Sequence, residues 1–177
     1  MKTQILGAGL ALVMAISGWT EVLACGDKIF LAGLGVQYQQ AFKAKVPGAI
    51  VIYSPPGLAG APALRDVKLQ NALRMAGHRL TVVRDPTELA RLLASPGVDI
   101  VLADIGEAAA VDPARAARTV APVVLPVMLR GSKSEIATCS AQYVCRLKGA
   151  DKPEQFVTTV NNVMVERAKA LKAARGN

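Results

Sequence analysis

Asp104 is the residue of this chain best placed to do chemistry: it closes the run Val98-Asp99-Ile100-Val101-Leu102-Ala103-Asp104-Ile105, apolar except for its two acids. Such a run predicts a buried parallel strand, and open α/β sheets present their functional groups beyond the carboxyl ends of their strands. A carboxylate there can accept a phosphoryl group, bind a cation or cap a turn. Other reactive groups are sparse. His78 is the single histidine and follows Gly77 at a helix end, with no acid or nucleophile at a catalytic spacing. There is no Gly-x-Ser-x-Gly elbow, P-loop, HExxH, CxxC or CxxCH, and Gly33-Leu34-Gly35 lacks the rest of a dinucleotide fingerprint. The inventory argues for a protein that is not an enzyme and has no metal or cofactor site.

The three cysteines bear on location. Met1-Lys2 gives a positive start, residues 5–16 an uncharged apolar run, and Val22-Leu23-Ala24 a cleavage region. Residues 1–24 therefore read as a signal peptide; the apolar run falls short of the roughly 20 residues of a spanning helix, so an uncleaved anchor is the weaker reading. Cys25 follows directly, and two readings stand. Val22-Leu23-Ala24-Cys25 resembles a bacterial lipobox, with Cys25 as the lipidation site, and Val22 and Ala24 equally suit ordinary signal peptidase. Cys139 and Cys145 lie six positions apart, consistent with a disulfide in an oxidising compartment or with two buried thiols. The expected location is periplasmic or secreted, with the membrane reached only through a lipid on Cys25.

Cleavage after residue 24 removes Lys2 and Glu21, leaving 20 basic and 12 acidic residues and the same net charge of +8. That balance favours an anionic surface as partner. The one dense basic group, Arg167, Lys169, Lys172 and Arg175, suits the last turns of a helix, where cations complement the dipole. With aromatic residues at 4%, base-stacking platforms are missing and nucleic acid is not an expected partner.

From Pro47 onward strand-like and helix-like segments alternate. Strands are expected at 49–53, 79–84, 98–105, 122–129 and 143–148, and helices at 61–76, 86–94, 107–118, 132–142 and 153–174. The first helix puts Leu64, Val67, Leu73 and Ala76 on one stripe. Asp85-Pro86-Thr87-Glu88 and Asp151-Lys152-Pro153-Glu154 read as capping boxes, Asp112-Pro113 as a break or a restart in a weak Ala-rich helix, and Pro126 as a bulge or an interrupted ladder in the fourth strand. In the last helix, Phe156, Val160, Val163, Met164 and Leu171 face inward. The sum is an α/β domain, a (βα)5 parallel sheet with right-handed crossovers.

Ala72-Leu73-Arg74-Met75-Ala76-Gly77-His78, Thr87-Glu88-Leu89-Ala90 and the run ending at Asp104 follow in the order and spacing of a CheY-like receiver domain, which residues 49 to about 165 resemble. The resemblance implies a flavodoxin-like doubly wound fold, strand order 2-1-3-4-5, with Asp104 at the phosphoacceptor position. It also implies an acid pair after strand one to hold Mg²⁺, where this chain has Ser54-Pro55-Pro56. The receiver hydroxyl after strand four falls at 128–131, which offers none before Ser132. The receiver lysine maps to Lys148, or to Lys152 before a proline, so an Asp104–Lys148 ion pair without Mg²⁺ chemistry is expected.

Residues 25–47 lie outside the receiver pattern. They read as an N-terminal extension packing on the domain at 48–177, with an edge strand at 28–31 and a short helix at 36–45 presenting Tyr38 and Phe42. The expected function is that of a non-catalytic, exported pseudo-receiver binding an envelope protein through the face above Asp104 and the fourth-strand side. The alternative is a periplasmic small-ligand-binding protein with its pocket at the switch point, and Ser54, Pro55, Gly57, Asp104 and Lys148 form the candidate face.

Overall fold

The computed structural model describes residues 42–57, 62–116 and 120–176. Five strands, β1 (Ala49–Tyr53), β2 (Arg79–Val83), β3 (Ile100–Asp104), β4 (Val123–Met128) and β5 (Leu147–Lys148), form one all-parallel sheet. Its order is β2-β1-β3-β4-β5, the flavodoxin-like arrangement that the resemblance to receivers implies. The helices are α1 (Pro62–Arg65), α2 (Val67–Met75), α3 (Pro86–Ala94), α4 (Ala108–Ala116), α5 (Lys133–Ser140) and α6 (Pro153–Arg175). The signal-peptide reading, Cys25, the edge strand at 28–31 and Tyr38 lie outside the described residues. Among those described, no helix is long and apolar enough to cross a membrane.

Successive strand residues point to opposite faces, so every central strand feeds two cores. Ile50, Ile52, Ile100, Leu102 and Leu125 pack with Leu69 and Leu73 of α2 and Phe156, Val160 and Met164 of α6. Val51, Tyr53, Val101, Ala103 and Val124 pack with Leu89 and Leu93 of α3 and Val111 of α4. β3 is buried along its whole length because both faces are covered.

Several local expectations are corrected. The helix expected at 61–76 is two helices: Asp66 takes an extended backbone and its carboxylate accepts the Lys68 N–H, starting a new helix at Val67. Val67 is consequently 64% exposed, and Leu69 is buried in its place. Pro113 sits inside α4 without ending it. Pro126 makes no bulge: it pairs in register with Ala103, and its missing N–H lies on the side facing β5, which begins only opposite Val127.

β5 shrinks to two residues because 141–146 are otherwise engaged, Cys145 bonded to Cys139 and the Tyr143 hydroxyl donating to the Asp112 carboxylate. At α6 the N-cap is Lys152, with Pro153 following and the Gln155 side chain accepting the Lys152 N–H; Asp151 turns back to accept the Lys148 N–H. In that helix Phe156, Val160, Val163 and Met164 are buried as expected, whereas Leu171 is only half-buried.

Candidate functional site

The parallel register between β1 and β3 sets Tyr53 beside Ala103, so the chain leaves the two strands at Ser54 and Asp104 side by side. This is the switch point, where β2 lies beyond β1 on one side and β4 beyond β3 on the other. Local hydrogen bonding closes most of it. The Ser54 N–H donates to Val83 O at 2.9 Å, and its hydroxyl accepts from Arg65 Nε at 3.0 Å. Arg65 Nη2 donates to Pro55 O at 2.8 Å, so one guanidinium from α1 serves both residues of the loop after β1. Gly57, in the same loop, has φ +90°, a backbone state that costs glycine little.

Asp104 is 7% exposed. Its Oδ1 accepts the Gly106 N–H at 2.8 Å, an Asx-type turn that starts the connection to α4. Its Oδ2 is buried and has no hydrogen-bond partner. A buried polar atom without a partner is uncommon in folded proteins, because its desolvation goes uncompensated. The phenol of Tyr53, which pairs with Ala103, is pushed above its usual pKa by burial, with the charges of Glu107 and Asp85 adding to the effect. Asp85 itself caps α3, accepting from the N–H groups of Thr87 and Glu88.

Lys148 does not reach Asp104. Its stem lies over Gly131, where a Cβ would come within 2.8 Å of Lys148 Cε, and Gly131 has φ +65°. The expected Asp104–Lys148 ion pair is therefore absent, the lysine being drawn to the β4–α5 turn instead. Ser54, Pro55, Gly57, Asp104 and Lys148 share the carboxyl end of the sheet, with the Lys148 stem against the β4–α5 turn rather than against Asp104. Among the described residues no group of three or more His, Cys, Asp and Glu side chains is arranged to hold a metal ion.

Two features were missed by sequence reasoning. His78 is buried at the opposite, amino end of the sheet; its Nδ1 accepts the Gly48 N–H at 3.2 Å, which leaves the proton on Nε2 to donate to Asn161 Oδ1 at 2.8 Å. Asn161 Nδ2 then donates to Phe42 O at 3.0 Å. Asp99, at the start of β3, accepts the Ala49 N–H at 2.9 Å and faces Arg167 Nε across 3.5 Å. The only signal for it was an acid at the entry of an apolar strand.

The disulfide expected as one reading of Cys139 and Cys145 is present and fastens α5. Among its described side chains only Cys139 is fully buried, and it is disulfide-bonded to Cys145, with Cα atoms 5.8 Å apart. The helix is otherwise capped by a reciprocal Ser132–Glu135 pair: Ser132 Oγ accepts the Glu135 N–H and Glu135 Oε2 accepts the Ser132 N–H. Leu129, Ile136 and Val144, on the β4–α5–β5 side, stand 38%, 39% and 38% exposed. The chain matches no protein-family model, and no curated protein is significantly similar to it.

Proposed function

We propose that this chain is a non-catalytic, exported pseudo-receiver of the CheY-like type that binds a protein of the periplasm or cell envelope through its β4–α5–β5 side. The observation that carries the reading is the exposure of Leu129, Ile136 and Val144 on one connection at the sheet edge, where α5 contributes almost nothing to the core beneath it. Scattered apolar residues are ordinary on a surface, but three within the β4–α5–β5 connection, around a helix fastened by a disulfide, offer a partner apolar anchors. The resemblance to receivers supplies the rest. Asp104 keeps the phosphoacceptor place, and Ser54-Pro55-Pro56 replaces the acids that would hold Mg²⁺ beside it. Export is supported by the leader-like residues 1–24 and by the Cys139–Cys145 bond, which suits an oxidising compartment. Cys25 remains the proposed point of lipid attachment.

Photo-crosslinking from position 136 in the native envelope tests this reading, with position 75, also exposed but on α2, as the control. A discrete adduct from 136 and none from 75 is expected. Equal labelling from both positions, or none from 136, would overturn it. One observation favours a second reading, a small-ligand site at the switch point: Asp104 Oδ2 is buried and lacks a donor. A ligand group donating to that oxygen would satisfy it, and Asp104→Asn would then abolish binding without unfolding the protein.

A further inference from the structure

We infer that the groove between residues 42–46 and α6, at the amino end of the sheet and remote from Asp104, is a binding site for a phosphate-type oxyanion. The cavity is about 430 Å³, enough for a small anion or a lipid headgroup. One wall is a fixed stretch of chain. Asn161 holds Phe42 O, the Ala44 N–H donates to Ala76 O at 2.8 Å, and His78 holds the Gly48 N–H. Ala44 is buried between Lys43 and Lys45, which are both exposed and line the groove. The other wall is a stripe of α6 carrying Thr158, Asn162, Glu166 and Lys169, spaced four, four and three residues apart so that they share a face.

The donors and acceptors of this groove are unequal, and that sets the ligand class. Lys43, Lys45 and Lys169 have no carboxylate within ion-pair distance among the described residues. The Asn162 amide is also unengaged there. The single acid, Glu166, lies 3.6 Å from Arg146, which offsets its charge. Thr158 spends its hydroxyl proton on Glu154 O. A ligand rich in acceptors and poor in donors fits three ammonium groups and an amide; a sugar or a cation does not. Arg146 and the buried His78–Asn161 link are thus positioning groups: the first offsets the competing carboxylate, the second fixes the segment bearing Lys43 and Lys45.

The test compares the full chain with the triple variant Lys43→Ala, Lys45→Ala, Lys169→Ala. A charge-matched control, Arg91→Ala, Lys133→Ala, Arg175→Ala, changes exposed cations elsewhere. Two probes are used: inorganic phosphate followed by amide NMR shifts, and sedimentation with phosphatidylglycerol vesicles against phosphatidylcholine vesicles. If the source is a headgroup, the chain sediments with the anionic vesicles and the groove variant binds them roughly 100-fold more weakly, about fivefold per lysine. If the source is free phosphate, shifts concentrate at 42–46 and 158–169 and vanish in the groove variant. Under either outcome the control binds as wild type does. Absence of both signals, or equal losses in the two triple variants, overturns the proposal. The all-arginine variant at the same three positions keeps binding if charge is the determinant, and thermal melts verify that each variant is folded.

Discussion

At the amino end of the sheet Asp99 takes an N–H from β1 and faces Arg167 of α6, and His78 bonds on both ring nitrogens; at the carboxyl end of the same β3 strand Asp104 keeps one buried oxygen without a partner. The two acids sit five residues apart on one strand and do different things. Asp99 ties three elements together, because Arg167 also donates to Ala121 O at 2.7 Å ahead of β4. Asp104 ties only its own turn, through Gly106. The contrast separates a carboxylate kept for stability from one whose burial the fold does not repay.

Mutating the two acids sharpens this contrast most strongly. Asp99→Ala leaves the Ala49 N–H without its acceptor and the nearly buried Arg167 without its ion-pair partner, and a loss of about 2–3 kcal/mol in urea unfolding is expected. Asp104→Asn keeps an acceptor for Gly106 and removes a buried charge, so its stability is expected within about 0.5 kcal/mol of wild type. A loss of similar size at both positions would erase the distinction between the two ends.

A second comparison within the molecule sets α6, sunk in the core by Phe156, Val160 and Met164, against α5, fastened by Cys139–Cys145. Replacing both cysteines by alanine opens a short loop and is expected to cost about 2 kcal/mol on the chain-entropy account. Hydrogen exchange should locate the loosening at residues 133–148 and leave α6 unchanged; uniform loosening would mean the bond serves the whole domain. The smallest effect concerns the α5 cap. Hydrogen bonds from the Ser132 backbone hold the Glu135 carboxyl below its usual value of 4.5. Because the folded value is depressed, this stabilisation is present above about pH 4.5 and is lost as the pH falls through the lowered value. Protection of the amides at the start of α5, corrected for the intrinsic pH dependence of exchange, should therefore decrease as the pH falls below about 4.5. Glu135→Gln should flatten that dependence.

The legible part of the chain was its apolar periodicity. Strands β1 to β3 and the helix Pro86–Ala94 with its Asp85 cap follow from local patterns such as the runs Ile50-Val51-Ile52 and Ile100-Val101-Leu102, whereas the order 2-1-3-4-5 comes from the receiver resemblance. Local competition was not legible. Asp66 as a cap in mid-helix, the shortening of β5 by the Cys145 and Tyr143 contacts, and the tolerance of Pro126 all depend on which neighbour a backbone N–H faces. At the site, the neighbourhood of Ser54 and Asp104 was readable from strand order alone. The positions of Lys148 over Gly131 and of Arg65 over Ser54 were not, since both are set by turn geometry and side-chain reach. The groove lined by Lys43, Lys45 and Lys169 joins residues more than a hundred positions apart, beyond any local pattern.

Incubation of the full chain with acetyl phosphate and Mg²⁺, followed by intact mass, tests the central claim most directly. With Ser54, Pro55 and Pro56 where metal-holding acids would be required, the account predicts no phosphoryl adduct on Asp104. A phosphoryl mass gain that disappears in Asp104→Asn would contradict it.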